Sequence, residues 1–141
     1  MKKIILLAGA VLLTGCFGGQ TPENAQAQVD HARQMTADSN AELVMQNAVN
    51  YCSSCAANGV TVKSGRYAGT LDKAGTPPSF NGSSSDLDLA FDTYTNGMTS
   101  GYYAVMIDNG NPSAAYWSES DISSVDFKNI PEDMVVGRKT N

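Results

Sequence analysis

The first fifteen residues decide which part of this 141-residue chain is available to fold into a domain. Lys2 and Lys3 form a short basic region, and the ten residues from Ile4 to Leu13 carry no charge. Ten helical residues span about 15 Å, half of a hydrocarbon core of roughly 30 Å. A basic start followed by a short apolar run is typical of a removable secretory leader and not of a transmembrane span. The sequence therefore predicts a signal peptide over residues 1–15.

The apolar run ends in Leu13-Thr14-Gly15-Cys16. These residues resemble the lipobox of bacterial lipoproteins, and all four positions match. The resemblance implies lipidation of the Cys16 thiol by a diacylglyceryl group, cleavage before Cys16, and acylation of the new amine. One acyl chain holds a protein only marginally at a membrane, whereas several chains anchor it stably. Phe17 stands where an Asp favours inner-membrane retention in that family, so the resemblance implies a lipid anchor in the bacterial outer membrane, on its periplasmic or surface face.

The acidic composition limits the classes of partner. Nine Lys and Arg stand against 14 Asp and Glu, which gives a net charge of −5. Nucleic acid and anionic lipid surfaces both need clustered cations on the protein. Lys63 and Arg66 form a pair and not a patch. We therefore expect no nucleic-acid partner; the expected partners are the membrane, through the lipid anchor, and an envelope protein.

The mature chain begins with a polar stretch and continues with a helical pattern. Residues 16–27 are rich in Gly, Gln, Asn and Thr, which is typical of a flexible tether, and residues 28–141 are expected to form a single small globular domain. Apolar residues then recur every three or four positions, which predicts helix. They are Ala25, Val29, Ala32 and Met35, followed by Ala41, Val44, Ala48 and Tyr51. Asp38 to Asn40 offer a second helix start, so the pattern allows one bent helix or two.

The middle of the chain changes from helical to turn-forming composition. Residues 52–81 hold four glycines and two prolines, which predicts a long Gly/Ser/Pro loop with a short strand at Val60–Val62. Three serines at 83–85 precede Asp86 and Asp88, which is the signature of a capped helix start with acids in its first turn. This short helix is expected to bury Leu87, Ala90, Phe91 and Tyr94, and to end at the left-handed cap Asn96-Gly97.

An antiparallel β-hairpin follows the second helix. Tyr102–Asp108 alternates β-branched and aromatic residues, with Tyr103, Val105 and Ile107 on one face, and Asn109 to Pro112 forms the turn before a strand at 113–118. Two further short elements are expected: a helical turn at 118–125 and a strand at 134–136. The order of helix, loop, short helix and hairpin predicts an α+β fold with an antiparallel sheet.

Cys52 and Cys55 are the first candidates for chemistry. A Cys-x-x-Cys pair is a redox centre when a helix N-terminus lowers the pKa of the first thiol. This pair follows a helical run, where the helix dipole raises a thiol pKa. We therefore predict a structural disulfide that joins the helix end to the long loop, and keep a thiol-disulfide redox centre as the alternative.

The same pair resembles the attachment site of a small cytochrome c. The resemblance includes Tyr51 before the pair, Gly59 after it, and Met106 as an axial ligand. A c-type cytochrome needs a His directly after the second Cys, because that His ligates the iron. Ala56 stands there instead, so the resemblance implies at most a haem-derived relic, and we expect no cofactor.

Other arrangements lack the residues that their chemistry needs. Zinc takes about four ligands, and two thiols with the distant His31 are too few. Neither 108–111 nor the acids at 86, 88 and 92 match a twelve-residue calcium loop. His31, in an Ala/Gln-rich stretch, is expected to be exposed and outside any triad. The clustered aromatics either fill the core, which we favour, or stack a sugar or peptide: Tyr94, Tyr102, Tyr103, Tyr116 and Trp117.

The order of elements also resembles the globular part of type IV pilin-like proteins. The chain departs from that pattern because the pilin leader and the long apolar stem are absent and a lipobox replaces them. We predict a cell-envelope lipoprotein with a non-catalytic structural or binding role in assembly, adhesion or a pilin-like structure. The alternative is a periplasmic thiol-disulfide or haem-derived redox protein that uses Cys52 and Cys55.

Overall fold

The computed structural model describes residues 22–71, 77–94 and 100–141. Two helices and four strands follow one another along the chain: α1 (Pro22–Ala57), β1 (Gly65–Thr70), α2 (Ser84–Tyr94), β2 (Tyr102–Asp108), β3 (Asn111–Ser118) and β4 (Gly137–Thr140). The strands form one antiparallel sheet in the order β1-β2-β3-β4. The predicted α+β class, with a long first helix, a short second helix and an antiparallel hairpin, is confirmed.

Helix α1 is one continuous helix and not two. Its buried residues recur every three or four positions from Ala37 to Cys55 and pack mainly against β3 and β4. Asp38 does not start a second helix, because its carboxylate accepts hydrogen bonds from the Arg138 backbone N–H at 3.0 Å and from the Gln34 amide at 3.1 Å. The predicted tether is wrong in its last six residues, since residues 22–27 are helical. Pro22 stands at the first position of the helix, where proline is tolerated.

The predicted loop over 52–81 is wrong in two places. Residues 52–57 belong to α1, and the strand lies at Gly65–Thr70, not at Val60–Val62. Val62 is only 1 % exposed and packs into the core without joining the sheet. Residues 72–76 lie outside the described residues.

The sheet is covered on both faces. The inner face packs on α1 and α2 with six residues, which are Tyr67, Tyr103, Val105, Ile107, Ala115 and Trp117. The predicted shared face of β2 is therefore confirmed. The outer face is covered by residues 119–136, which bury Ile122 and Val136 against Ala104, Ala114 and Tyr116. This covering segment consists of turns, so the helical turn predicted at 118–125 is wrong.

Arg66 fastens the covering segment to the sheet. Its guanidinium donates hydrogen bonds to the carbonyls of Val125, at 2.7 Å, and of Ile122. It also lies over the Phe127 ring at 4.4 Å, and that ring stacks on Tyr116 with centroids 3.6 Å apart. One cation on β1 therefore holds a turn-rich segment that has no ladder hydrogen bonds of its own.

The hairpin and α2 form as predicted. Asn109 and Gly110 both have positive φ, 48° and 79°, which is the conformation of the type I′ turn that suits a two-residue hairpin. Pro112 lies inside β3, opposite Ile107, and not in the turn. Ser83 caps α2 by accepting the Asp86 N–H at 3.3 Å. The predicted Asn96-Gly97 cap and the side chain of Tyr94 lie outside the described residues.

The last strand begins three residues later than expected. Residues 134–136 do not form the strand, which starts at Gly137. A Cβ at Gly137 would stand 1.8 Å from the Ala37 carbonyl oxygen, so only glycine lets β4 approach α1 this closely.

Candidate functional site

Cys52 and Cys55 lie in the last two turns of α1 and both are buried. Cys52 is 5 % exposed and Cys55 is fully buried. The structure differs from the predicted disulfide, because both cysteines are free thiols and both belong to the same helix. They therefore do not join the helix end to the loop that follows.

Helical geometry gives the physical reason for two separate thiols. Residues three apart on a helix hold their Cβ atoms about 5–6 Å apart, whereas a disulfide needs roughly 3.5–4.5 Å. Closing the bond would require the backbone of α1 to move between the two cysteines. The helix continues to Ala57 beyond both of them.

The burial of the pair suppresses its reactivity. Burial, followed by the charge of a neighbouring Cys55 thiolate, raises the pKa of Cys52 to about 11. Burial also raises the pKa of Cys55, although hydrogen bonds from Tyr51 and Gly82 act in the opposite direction. Because the thiolate is the nucleophile in exchange reactions, both groups are held in their unreactive form at neutral pH.

Tyr51, one turn before Cys55, connects the pair to a buried carboxylate. Its hydroxyl donates a hydrogen bond to Asp86 Oδ2 at 2.6 Å and accepts one from the Gly82 N–H at 3.1 Å. Burial and the bond to Asp86 raise the Tyr51 pKa above its ordinary value. The Phe80 ring packs against Tyr51 with centroids 5.8 Å apart.

Asp86 organises the loop that leads into α2. Its carboxylate accepts hydrogen bonds from the Ser79 N–H at 2.6 Å, the Ser79 hydroxyl at 3.0 Å and the Asn81 N–H at 3.0 Å. Between these two residues Phe80 adopts a φ of 58°, which is rare for a bulky side chain. Burial acts to raise the Asp86 pKa, but the bonds from Tyr51, Ser79 and Asn81 together hold it below its ordinary value.

A shallow polar cleft lies beside this loop, at the N-terminal end of β1. Its volume is about 360 Å³, and it is lined by Thr61, Lys63, Tyr67, Asn81, Gly82, Ser83 and Ser84. The Tyr67 hydroxyl donates to the Lys63 carbonyl at 2.9 Å. The Lys63 side chain is the cation in this lining. Hydroxyl groups, an amide and one ammonium suit a polar or anionic group.

The residues considered for haem and metal are not brought together. Ala56 occupies the position that an iron-ligating His would need, and it is exposed. Met106 lies on β2 and packs on the outer face of the sheet, whereas His31 is exposed on the first half of α1. Within the described ranges, no cluster of three or more His, Cys, Asp or Glu side chains is able to hold a metal ion.

Most of the aromatic residues fill the core. Tyr103, Tyr116 and Trp117 are 1 %, 5 % and 6 % exposed, and Tyr102 is half-buried. These rings are therefore not exposed for stacking on a sugar or peptide. The prediction that they fill the core is the correct one for these residues. Cys16, the predicted lipidation site, lies outside the described residues.

The first half of α1 stands apart from the domain. Every residue over 22–36 is exposed except Gln34, which is half-buried. Val29 and Met35 are 46 % and 59 % exposed. The periodicity of this segment predicts a helix, but periodicity alone does not show how far a helix extends beyond the sheet that it packs on.

Comparison with known proteins gives no relative: no protein-family model matches, and no curated protein or solved structure matches either. The fold and the site define a small α+β domain on a long helix that is packed for only part of its length. None of the helices in the described part of the chain combines the length and hydrophobicity needed to cross a bilayer.

We expect the Cys52 and Cys55 thiols to be unreactive in the folded protein. A thiol-specific disulfide reagent should titrate neither cysteine in native buffer and both in guanidinium chloride, because both are buried and protonated. The variant Cys52→Ser/Cys55→Ser should fold with a moderately lowered melting temperature, since the hydroxyl at position 52 enters the hydrophobic core. Rapid labelling of the native protein, or an absence of thiols after denaturation, would contradict free buried thiols.

Proposed function

We propose that this chain is a bacterial cell-envelope lipoprotein with a non-catalytic binding or structural role, anchored in the outer membrane through Cys16. The observation that carries the proposal is the exposed first half of α1, which connects the lipobox end of the chain to the packed domain. Five residues separate Cys16 from Pro22, where α1 begins. The lipid anchor and the domain would thus be joined mainly by a helix.

The length of this exposed segment supports a spacer. Fifteen residues at a rise of 1.5 Å hold the packed domain about 22 Å from Pro22. An isolated helix of this length is marginal in water, but here it extends a helix that packing against the sheet already stabilises. The Gln26 side chain also donates to Asp30 at 2.8 Å within the segment. A helical spacer on a lipid anchor supports a protein that presents its domain to a partner.

The chemistry of the domain supports binding over catalysis. The buried thiols have raised pKa values, and the Asp86 carboxylate is occupied by hydrogen bonds within the fold. The polar cleft offers hydroxyl and amide groups around Lys63. The alternative redox function has less support, because Cys52 lies within a helix and not at its N-terminus.

The order of the elements supports a role in assembly. A long helix whose second half packs on an antiparallel sheet leaves its first half free for contact with neighbouring subunits or other envelope proteins. Val29 and Met35 give that surface some apolar character. Adhesion and pilin-like assembly both remain within the proposed class.

Replacing Cys16 with serine tests the anchor. We expect Cys16→Ser to abolish lipid labelling and membrane fractionation and to leave a folded domain, because the thiol that accepts the diacylglyceryl group is lost. The matched variant Phe17→Asp keeps that thiol, and it should remain lipidated and move from the outer-membrane to the inner-membrane fraction. Outer-membrane fractionation of Cys16→Ser would show that the lipobox interpretation is wrong.

A further inference from the structure

The two edges of the sheet are treated differently. On β4, the register places the Arg138 N–H on the outer side, away from β3. This group donates to the Asp38 carboxylate of α1 at 3.0 Å. An edge donor that is already bound does not recruit another strand, so Arg138 blocks the start of the β4 edge, whereas the Thr140 N–H farther along β4 points outward.

On β1, the outward N–H groups of Arg66 and Ala68 have no such acceptor in the described part of the chain, whereas Thr70, the third outward residue, has an interaction of its own. The Leu71 N–H donates to the Gly101 carbonyl at 2.9 Å, which fixes the alternation along the ladder between β1 and β2. By that alternation the backbone groups of Gly65, Tyr67 and Gly69 point toward β2, and those of Arg66 and Ala68 point outward. Among the residues that the structure describes, none accepts a hydrogen bond from the Arg66 or Ala68 N–H.

The charges beside this edge define the partner. Lys63 precedes β1 and lines the polar cleft, and the stretch 63–71 contains no acidic residue. The Arg66 guanidinium is already bound to the carbonyls of Val125 and Ile122, so Lys63 is the cation of this stretch that favours an acidic segment opposite it. A second copy of β1 would bring another Lys63 without an anion, so the charge pattern disfavours self-pairing.

The polar cleft gives the direction of the added strand. It lies at the N-terminal end of β1, where Lys63 and the hydroxyls of Thr61, Ser83 and Ser84 surround an open space. An antiparallel strand would end there with its carboxyl end facing Lys63, whereas a parallel strand would place its amino end against the same ammonium. The antiparallel direction is therefore the favourable one.

We propose that the open edge of β1 binds an extended, acidic segment of a partner protein by antiparallel strand addition, with the carboxyl end of that segment in the polar cleft. Backbone hydrogen bonds to Arg66 and Ala68 would supply affinity, and Lys63 would supply the preference for acidic sequences. This inference rests on the proposed binding role and names its site and the chemistry of its partner.

Proline substitution tests the edge without breaking the sheet. Ala68→Pro removes an outward N–H and leaves the bonds between β1 and β2, so it should fold, because proline is tolerated at such edge positions. Thr140→Pro is the matched control, since the Thr140 N–H points outward from the opposite edge by the register of β3 and β4. The melting temperatures of both variants show whether each has folded.

The probe is a displayed library of random linear seven-residue peptides, selected on the lipidated, detergent-solubilised protein. We expect the selected peptides to be rich in Asp, Glu and β-forming residues. Their affinity should fall about tenfold or more in Ala68→Pro and in Lys63→Glu, and should be unchanged in Thr140→Pro.

Three outcomes would overturn the inference. The first is a selection that yields no peptide, and the second is a set of peptides that bind Ala68→Pro as tightly as the parent protein. In that second case the binding role stands and only its location is wrong. The third is a dimer in sedimentation that Ala68→Pro abolishes, which would make a second copy the occupant. The anchor is tested separately by the fractionation of Cys16→Ser.

Discussion

Replacing Asp86 with asparagine should lower the free energy of unfolding by about 3 kcal/mol, because several buried hydrogen bonds depend on one carboxylate. Asp86 is 4 % exposed and accepts hydrogen bonds from Tyr51, Ser79 and Asn81. An amide nitrogen in place of one carboxylate oxygen repels these donors and leaves at least one unsatisfied. Denaturant unfolding of Asp86→Asn, beside the exposed control Asp133→Asn, measures the loss. Equal stability of the two variants would contradict the role assigned to Asp86.

The same carboxylate predicts how stability depends on pH. The pKa of Asp86 is lower in the folded protein than its ordinary value. Its contribution to stability is therefore complete above about pH 4, the ordinary pKa of an aspartate. That contribution is lost as the pH falls through the lower pKa of the folded state. Asp121 and Asp126 also have lowered pKa values, so the difference between the wild type and Asp86→Asn isolates the part due to Asp86.

Truncating Phe91 should cost about 3–5 kcal/mol, as for other buried aromatic residues. Phe91 is fully buried on α2, and its ring lies 4.1 Å from that of Tyr103 on β2. Phe91→Ala therefore opens a cavity between α2 and the sheet. Leu43→Ala is the control, because Leu43 is 37 % exposed on α1 and should lose little stability. A melting temperature for Phe91→Ala close to that of Leu43→Ala would show that α2 packs with another face.

The elements that could be predicted from the sequence are those whose pattern is local. The serines before Asp86 and the apolar spacing of Leu87 and Phe91 define α2 within a few residues. The hairpin has an Asn-Gly turn between two alternating runs. In both cases the residues that fix the conformation are neighbours in the chain, so their pattern needs no knowledge of the rest of the fold.

The elements that were missed depend on contacts between distant residues. Strand β1 contains Gly65 and Gly69, which local propensity assigns to a loop, and it forms because β2 lies beside it. Strand β4 has the polar sequence from Gly137 to Thr140 and forms because Gly137 fits against α1 at Ala37. Residues 22–27 look like a tether by composition and are helical as the extension of a packed helix.

The candidate site was only partly predictable for the same reason. The Cys-x-x-Cys spacing does not indicate whether the helix ends before the pair or continues through it. The position of the helix end decides whether the two cysteines form a disulfide or remain two thiols. Asp86 carried the signal of an acid in a first helical turn. Its bond to Tyr51, 35 residues earlier in the chain, follows only from the packing of α2 on α1.

The most direct test of the proposed lipid anchor is the mass of the N-terminal tryptic peptide from the protein in envelope membranes. After the leader lysines, the next tryptic site in the sequence is Arg33. We predict a peptide that begins at Cys16 and ends at Arg33, with a diacylglyceryl group on the thiol and an acyl chain on the amine. A peptide in which Gly15 still precedes an unmodified Cys16 would contradict it.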